Sequence, residues 1–338
     1  MVPVEWPLAA LAADPPVDSA HARGSRRLTS VRRDFFLDPV HRLTEQERAL
    51  MTAMLHDLVG AVAVEILAAL PANGSEAPET AELAGRLSAA GLLDREELVS
   101  LLLRRADEHR VATAFAGRAG PRNLPMLPRL VGDSDAAVAA AAMALVVARG
   151  RRRDAFAQPR IELNDLSAGE AACLALAVAA GLSDHGERPA LAAAAGAVAA
   201  RRSPSDSLDS TVAVLVEALA SSGRADDAMI ETAARDGEAV LLAASLARRA
   251  GISFETSWGY LISGQDDGLA LLARMAELAR PAAARLIAEF GAVSGASVEE
   301  EITRFDSLSE DEVAAARDWW RLPPDFRGAS AALGQARG

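Results

Sequence analysis

From Leu130 to Arg149 the chain reads LVGDSDAAVAAAAMALVVAR, and no residue between Asp135 and Arg149 carries a charge. The stretch predicts a helix: Asp133 or Ser134 can cap its first amides, and Asp135 falls in the first turn, where the positive dipole end favours an acid. Val138, Ala141, Ala142, Leu145 and Val146 leave it almost no polar side. A helix that is apolar all round has to be covered on several faces. Neighbours of the same kind, stacked on it, give that cover, and this is how a helical-repeat array is built.

Composition points the same way. Hydrophobic residues make up 51% of the chain and aromatics only 4%, and strand-type alternation is nearly absent, so close-packed helices separated by small residues are expected. The expected fold class is all-α: a HEAT-like helical repeat, as an α-solenoid or superhelical array, with an N-terminal helical subdomain. A net charge of −12 argues against general nucleic-acid binding, which leaves a basic footprint. All 35 basic residues are arginine, which removes Schiff-base and phosphate-loop lysine chemistry. The single cysteine, Cys173, rules out an internal disulfide framework and a cysteine-based zinc site. A reducing cytoplasm is the expected compartment. No basic segment precedes the short apolar run in Met1 to Ala13. The uncharged runs Ala136 to Ala148 and Pro189 to Ala200 fall short of the ~18–20 residues of a spanning helix, so no membrane association is expected.

Read in order, residues 1–18 form a proline-rich arm. Residues 19–118 form the N-terminal subdomain. Its first helix, Ser19 to Leu37, carries Leu28, Val31 and Phe35 at helical spacing beside Arg23, Arg26, Arg27, Arg32 and Arg33. Thr44 with Glu47 makes a capping box opening a helix to about Ala69, on which that basic helix is expected to dock. Asp94 with Glu97 repeats the logic for a helix to about Ala116. Residues 119–325 are the repeat region. There, Ser167 with Glu170 and Ser309 with Glu312 make further boxes, the latter opening what reads as the last helix, ending at Trp319-Trp320. Ile230, Asp236, Leu241, Leu242 and Ala243 recur thirty residues on as Tyr260, Asp266, Leu271, Leu272 and Ala273, the trace a divergent two-helix repeat leaves. Residues 326–338 read as a flexible tail.

Chemistry is sparse in this pattern. There is no glycine-rich phosphate loop, no paired-histidine metal motif and no nucleophile elbow. The histidines His21, His41, His56, His109 and His185 are dispersed and read as solvated or core-edge residues. Cys173, in AACLALAVAA with no basic neighbour, reads as a buried inert thiol. Trp319-Trp320 reads as a cap over a helical core rather than a partner site. Arginine clusters remain. Arg23, Arg26 and Arg27 on the first helix, and Arg151, Arg152 and Arg153 in a loop run, are candidates for docking an acidic partner. Pairing of these arginines with the chain's own acids is the plainer reading.

Several phrases are similar to those of a known family. Arg27-Leu28 and Arg33-Asp34-Phe35-Phe36-Leu37, followed by Arg42-Leu43-Thr44-Glu45-Gln46-Glu47-Arg48-Ala49-Leu50-Met51, resemble the start of proteins in bacterial domain-of-unknown-function family 2336. Leu130 to Gly150 with Arg151-Arg152-Arg153, and Glu300, Ile302, Arg304, Phe305 and Asp306, resemble it too. The resemblance spans about residues 20–325 and implies a cytoplasmic, all-helical protein of HEAT-like type. It brings no activity and no functional residue. The function expected is a non-catalytic protein–protein interaction scaffold or regulatory adaptor, without a cofactor. The alternatives are a module sensing a small ligand or nucleotide, with Arg151 to Arg153 at the phosphate, and a metal-dependent hydrolase using dispersed histidines and acids.

Overall fold

The computed structural model describes residues 43–70, 78–118, 125–262 and 268–335. The first helix expected from sequence, with Arg23, Arg26 and Arg27, lies outside the described residues. Sixteen α-helices are present there, and the one β pairing is a single antiparallel bridge between Arg153 and Pro159. The described residues divide into two compact units, one within residues 43–245 and one within residues 246–335.

The larger unit is organised around α1 (Glu45–Ala68). Thr44 and Glu47 form the expected box: Thr44 Oγ1 accepts from the Glu47 amide, and the Glu47 carboxylate accepts from the Thr44 amide at 3.0 Å. Met51, Met54, Leu55, Leu58, Val59, Val62 and Ile66 form one buried stripe. α2 (Thr80–Ala89), α3 (Glu96–Gly117), α6 (Ala168–Gly181) and α7 (Arg188–Ala200) all pack on α1 or on one another. By length and composition α1 is the one described helix that could cross a bilayer. Its buried stripe is instead continuous with the core formed with these four helices. α6 approaches α2 closely at Gly181, where a Cβ would lie 2.5 Å from Leu83 Cδ1.

α4 (Met126–Val131), α5 (Ala136–Arg151), α8 (Leu208–Ser221), α9 (Asp227–Asp236) and α10 (Ala239–Ala250) follow, with short 3-10 turns at Leu163–Asp165 and Pro204–Asp206. α5 packs between α4 and α8. α9 ends at Gly237 with φ 71°, a left-handed cap in which a Cβ would also meet the Phe115 ring at 2.5 Å, so conformation and space both require glycine.

Three helix starts differ from the sequence reading. The cap of α5 is Asp135, whose carboxylate accepts from the Ala137 and Val138 amides. Asp133 instead accepts from the Asp135 amide at 2.8 Å and pairs with Arg224. α3 starts after Arg95 without a side-chain cap. The Glu97 expected to close its box reaches α6, accepting from the Ser167 amide and, at 2.6 Å, from Ser167 Oγ. Glu170, thereby released from its own box, pairs with Arg95 at 2.6 Å. The starts of α3 and α6 are thus tied to each other through Glu97 and Glu170.

In the smaller unit α12 (Gly268–Met275) is buried along almost its whole length and packs against α11 (Phe254–Ile262), α13 (Arg280–Ser294), α14 (Val298–Ser307) and α15 (Glu310–Arg321). Buried Glu301 accepts from the Ala270 amide at 2.7 Å, an acid at a helix N-terminus where the dipole favours it. α15 carries the Ser309–Glu312 box. Trp320 is buried, donating from Nε1 to the Tyr260 hydroxyl at 3.0 Å. The helical part does not end there. Pro324 starts α16 (Pro324–Gln335), since proline suits a first helical turn. Arg327 of α16 lies 4.6 Å from the Trp320 ring centre and donates to its carbonyl.

Candidate functional site

The segment from α5 through its following loop carries four of the eight exposed large apolar side chains described in the larger unit. α5 runs to Arg151, so Arg149, Gly150 and Arg151 are its last turn rather than a loop. Of Arg151, Arg152 and Arg153, the middle one goes to the interior and the outer two to the surface.

Arg152 is buried, 4% exposed, which corrects its reading as a docking arginine. Its Nε and Nη2 donate to Asp165 at 2.9 and 2.8 Å, and Nη2 also donates to the Asp206 carbonyl at 2.8 Å. Asp165 accepts further from the amides of Glu162 and Leu208, each at 3.0 Å. Arg105 of α3, also buried, stands 3.9 Å from Asp165 and 3.5 Å from Asp209, and donates to Glu108 at 2.7 Å. Burial alone would raise the Asp165 carboxyl. The hydrogen bond from Arg152, the charges of Arg105 and Arg152, and the Leu208 amide outweigh it and hold the group below its ordinary value. Burial likewise opposes the charge on Arg105, and Glu108, Asp209 and Asp165 more than offset it. Asp165 is held ionised by arginines, so it suits tethering rather than proton transfer.

Arg151 and Arg153 are exposed and form no ion pair among the described residues. Arg153 lies close enough to His109 for its charge, with burial as the larger cause, to lower that imidazole. Between Arg153 and Pro159 the chain makes a tight loop. Asp154 Oδ1 accepts from the Phe156 and Gln158 amides, both at 2.8 Å, and the Asp154 amide donates to the Gln158 carbonyl at 3.0 Å. Ala157 takes φ 61° to close it. Phe156 stands at the tip, 84% exposed.

α5 itself buries Val138, Ala141, Ala142, Leu145 and Ala148. Its opposite side, Ala136, Ala140, Met143 and Val147 with Val146 and Ala144 beside them, is exposed, Met143 at 48% and Val147 at 53%. Of the eleven exposed large apolar side chains among the described residues, four lie between Met143 and Phe156. Sequence reading took this side as covered. A helix with two apolar sides does not say which is inside, and the isolated phenylalanine in RRRDAFAQPR was the remaining signal. Cys173 is likewise exposed, on an outer side of α6 with Gly169, Leu176 and Ala180; the buried-thiol reading is corrected on the same ground. No group of three histidine, cysteine, aspartate or glutamate side chains among the described residues could hold a metal ion.

Fold and site define an all-helical protein whose charged interior ties helices together and whose uncharged helix face turns outward. The chain belongs to the family described as uncharacterised protein conserved in bacteria (DUF2336), whose profile matches residues 86–317. The matched region begins after the Arg27 to Met51 phrases and includes α5, its loop and the Asp165 network. Neither the curated proteins nor the solved structures include a match to this chain.

Proposed function

We propose that this protein is a non-catalytic interaction scaffold of the bacterial cytoplasm, a HEAT-like array of helix pairs that offers the outer side of α5 and the Phe156 loop to a protein partner. The observation that carries the reading is the concentration of exposed apolar side chains, Met143, Val146, Val147 and Phe156, beside the unpaired Arg151 and Arg153. Contiguous exposed apolar surface edged by charge is what a docking surface consists of. The two arginines favour carboxylates on the partner. The repeat reading draws support from the thirty-residue recurrence: Ile230, Leu241 and Leu242 are buried, as are Tyr260, Leu271 and Leu272. A phosphate-sensing role for Arg151 to Arg153 is less well supported, because Arg152 is held by Asp165.

The test is native purification of the full chain at low and high salt, as wild type and as Val147→Glu. A stoichiometric protein partner retained by wild type and lost from the folded variant is the expected result. Absence of any partner at both salts, whether another protein or a second copy of this chain, or a partner indifferent to Val147→Glu, would overturn the reading.

A further inference from the structure

We propose that α5 takes a second copy of this chain as its partner, two α5 helices meeting antiparallel about a two-fold axis. The inference deepens the docking reading above and rests on it.

The charges at the two ends of α5 suggest the pairing. Asp135 caps its N-terminal end beside Asp133, which is already paired with Arg224; Arg151 and Arg153 stand at its C-terminal end, and nothing charged lies between Asp135 and Arg149. An isologous pair places each residue of one surface against its counterpart about the axis. Laid antiparallel, Asp135 of each helix meets Arg151 and Arg153 of the other, and the two helix dipoles oppose. Laid parallel, arginine would face arginine. Each copy carries −12, so approach over other parts of the surface is opposed at long range. The uncharged strip is where that opposition is weakest.

Size then sets the strength. A sixteen-residue helix is about 24 Å long and offers a strip roughly 10 Å wide. That is less than the roughly 800 Å² per partner of a standard interface. Ala136, Ala140 and Ala144 allow close approach of the axes. The pair is therefore a reversible one, with Kd in the micromolar range.

Sedimentation velocity of the full chain from about 1 to 200 µM reads this directly, spanning the expected Kd range. Wild type is expected to pass from monomer to dimer, with weaker association in high salt as the end charges are screened. Val147→Glu places two carboxylates in the seam and should weaken association by about 100-fold or more. Its circular dichroism should match wild type, because the position is exposed. With Arg151→Glu and Arg153→Glu together, acid faces acid, and the salt response should reverse sign. Met143 lies near the helix midpoint and hence near the axis. Met143→Cys in a Cys173→Ala background should give a covalent dimer with copper–phenanthroline. That arm still decides if Val147→Glu misfolds.

A wild type that stays monomeric throughout would overturn the self-pairing, as would a dimer indifferent to Val147→Glu or uncrosslinked through Met143→Cys. If a monomeric wild type retains another protein that Val147→Glu releases, only the self-pairing fails. If that protein is retained by Val147→Glu too, the docking reading fails as well.

Discussion

Asp165 holds its place by accepting from one guanidinium and two amides while a second guanidinium stands 3.9 Å away. Removing one partner from such a buried set leaves the other charges uncompensated, which costs about 3–5 kcal/mol. Asp165→Asn should therefore lower stability by about that much in urea titration at pH 7. The carboxyl is held below its ordinary value, so its contribution is present above the unfolded-state pKa and lost as pH falls through the lower folded one. The gap between wild type and Asp165→Asn should accordingly close in acid. Cys173 gives a second expectation. Exposed on α6, it should label rapidly with a maleimide in the native state, and Cys173→Ser should change stability by less than about 0.5 kcal/mol. Arg152 could be picked out of the sequence as a basic residue, but its destination could not. Asp165 is thirteen residues on, and Arg105 comes from another helix.

Helix ends divide by the range of the interaction that caps them. Thr44 with Glu47 and Ser309 with Glu312 cap within three residues, so both were readable directly from the chain. Asp94 with Glu97 has the same spacing, yet Glu97 caps Ser167, seventy residues away. Nothing local distinguishes the two cases. The Ser309 amide and hydroxyl, with Arg304, hold the Glu312 carboxyl down to about 2 from an ordinary 4.5. A depressed acid stabilises above its unfolded pKa and loses that effect as pH falls. Glu312→Ala should thus cost about 1 kcal/mol at neutral pH, the scale of a helix cap. In thermal melts the difference from wild type should shrink progressively as pH drops from 4.5 toward about 2.

At the scale of the whole molecule, helix-rich composition and regular breaks made the all-helical class legible, and two of the three groups of family phrases fall within the matched residues 86–317. What composition could not supply was direction, and α5 shows why. Hydrophobicity alone would accept this helix rolled half a turn about its own axis, Met143 and Val147 inward and Leu145 outward. Its ends remove the ambiguity: Arg149 pairs with Glu238 at 2.7 Å, Arg152 with Asp165, and the Asp133 beside its cap with Arg224. These pairs act as an orientation key, selecting one of two nearly equivalent packings rather than supplying the attraction that buries the helix. Arg149→Met with Arg152→Met should therefore keep helix content near that of wild type while broadening the methyl resonances of Met143, Leu145 and Val147. The same helix would then exchange its inner and outer sides. In this chain, charge decides which way an otherwise undecided helix faces.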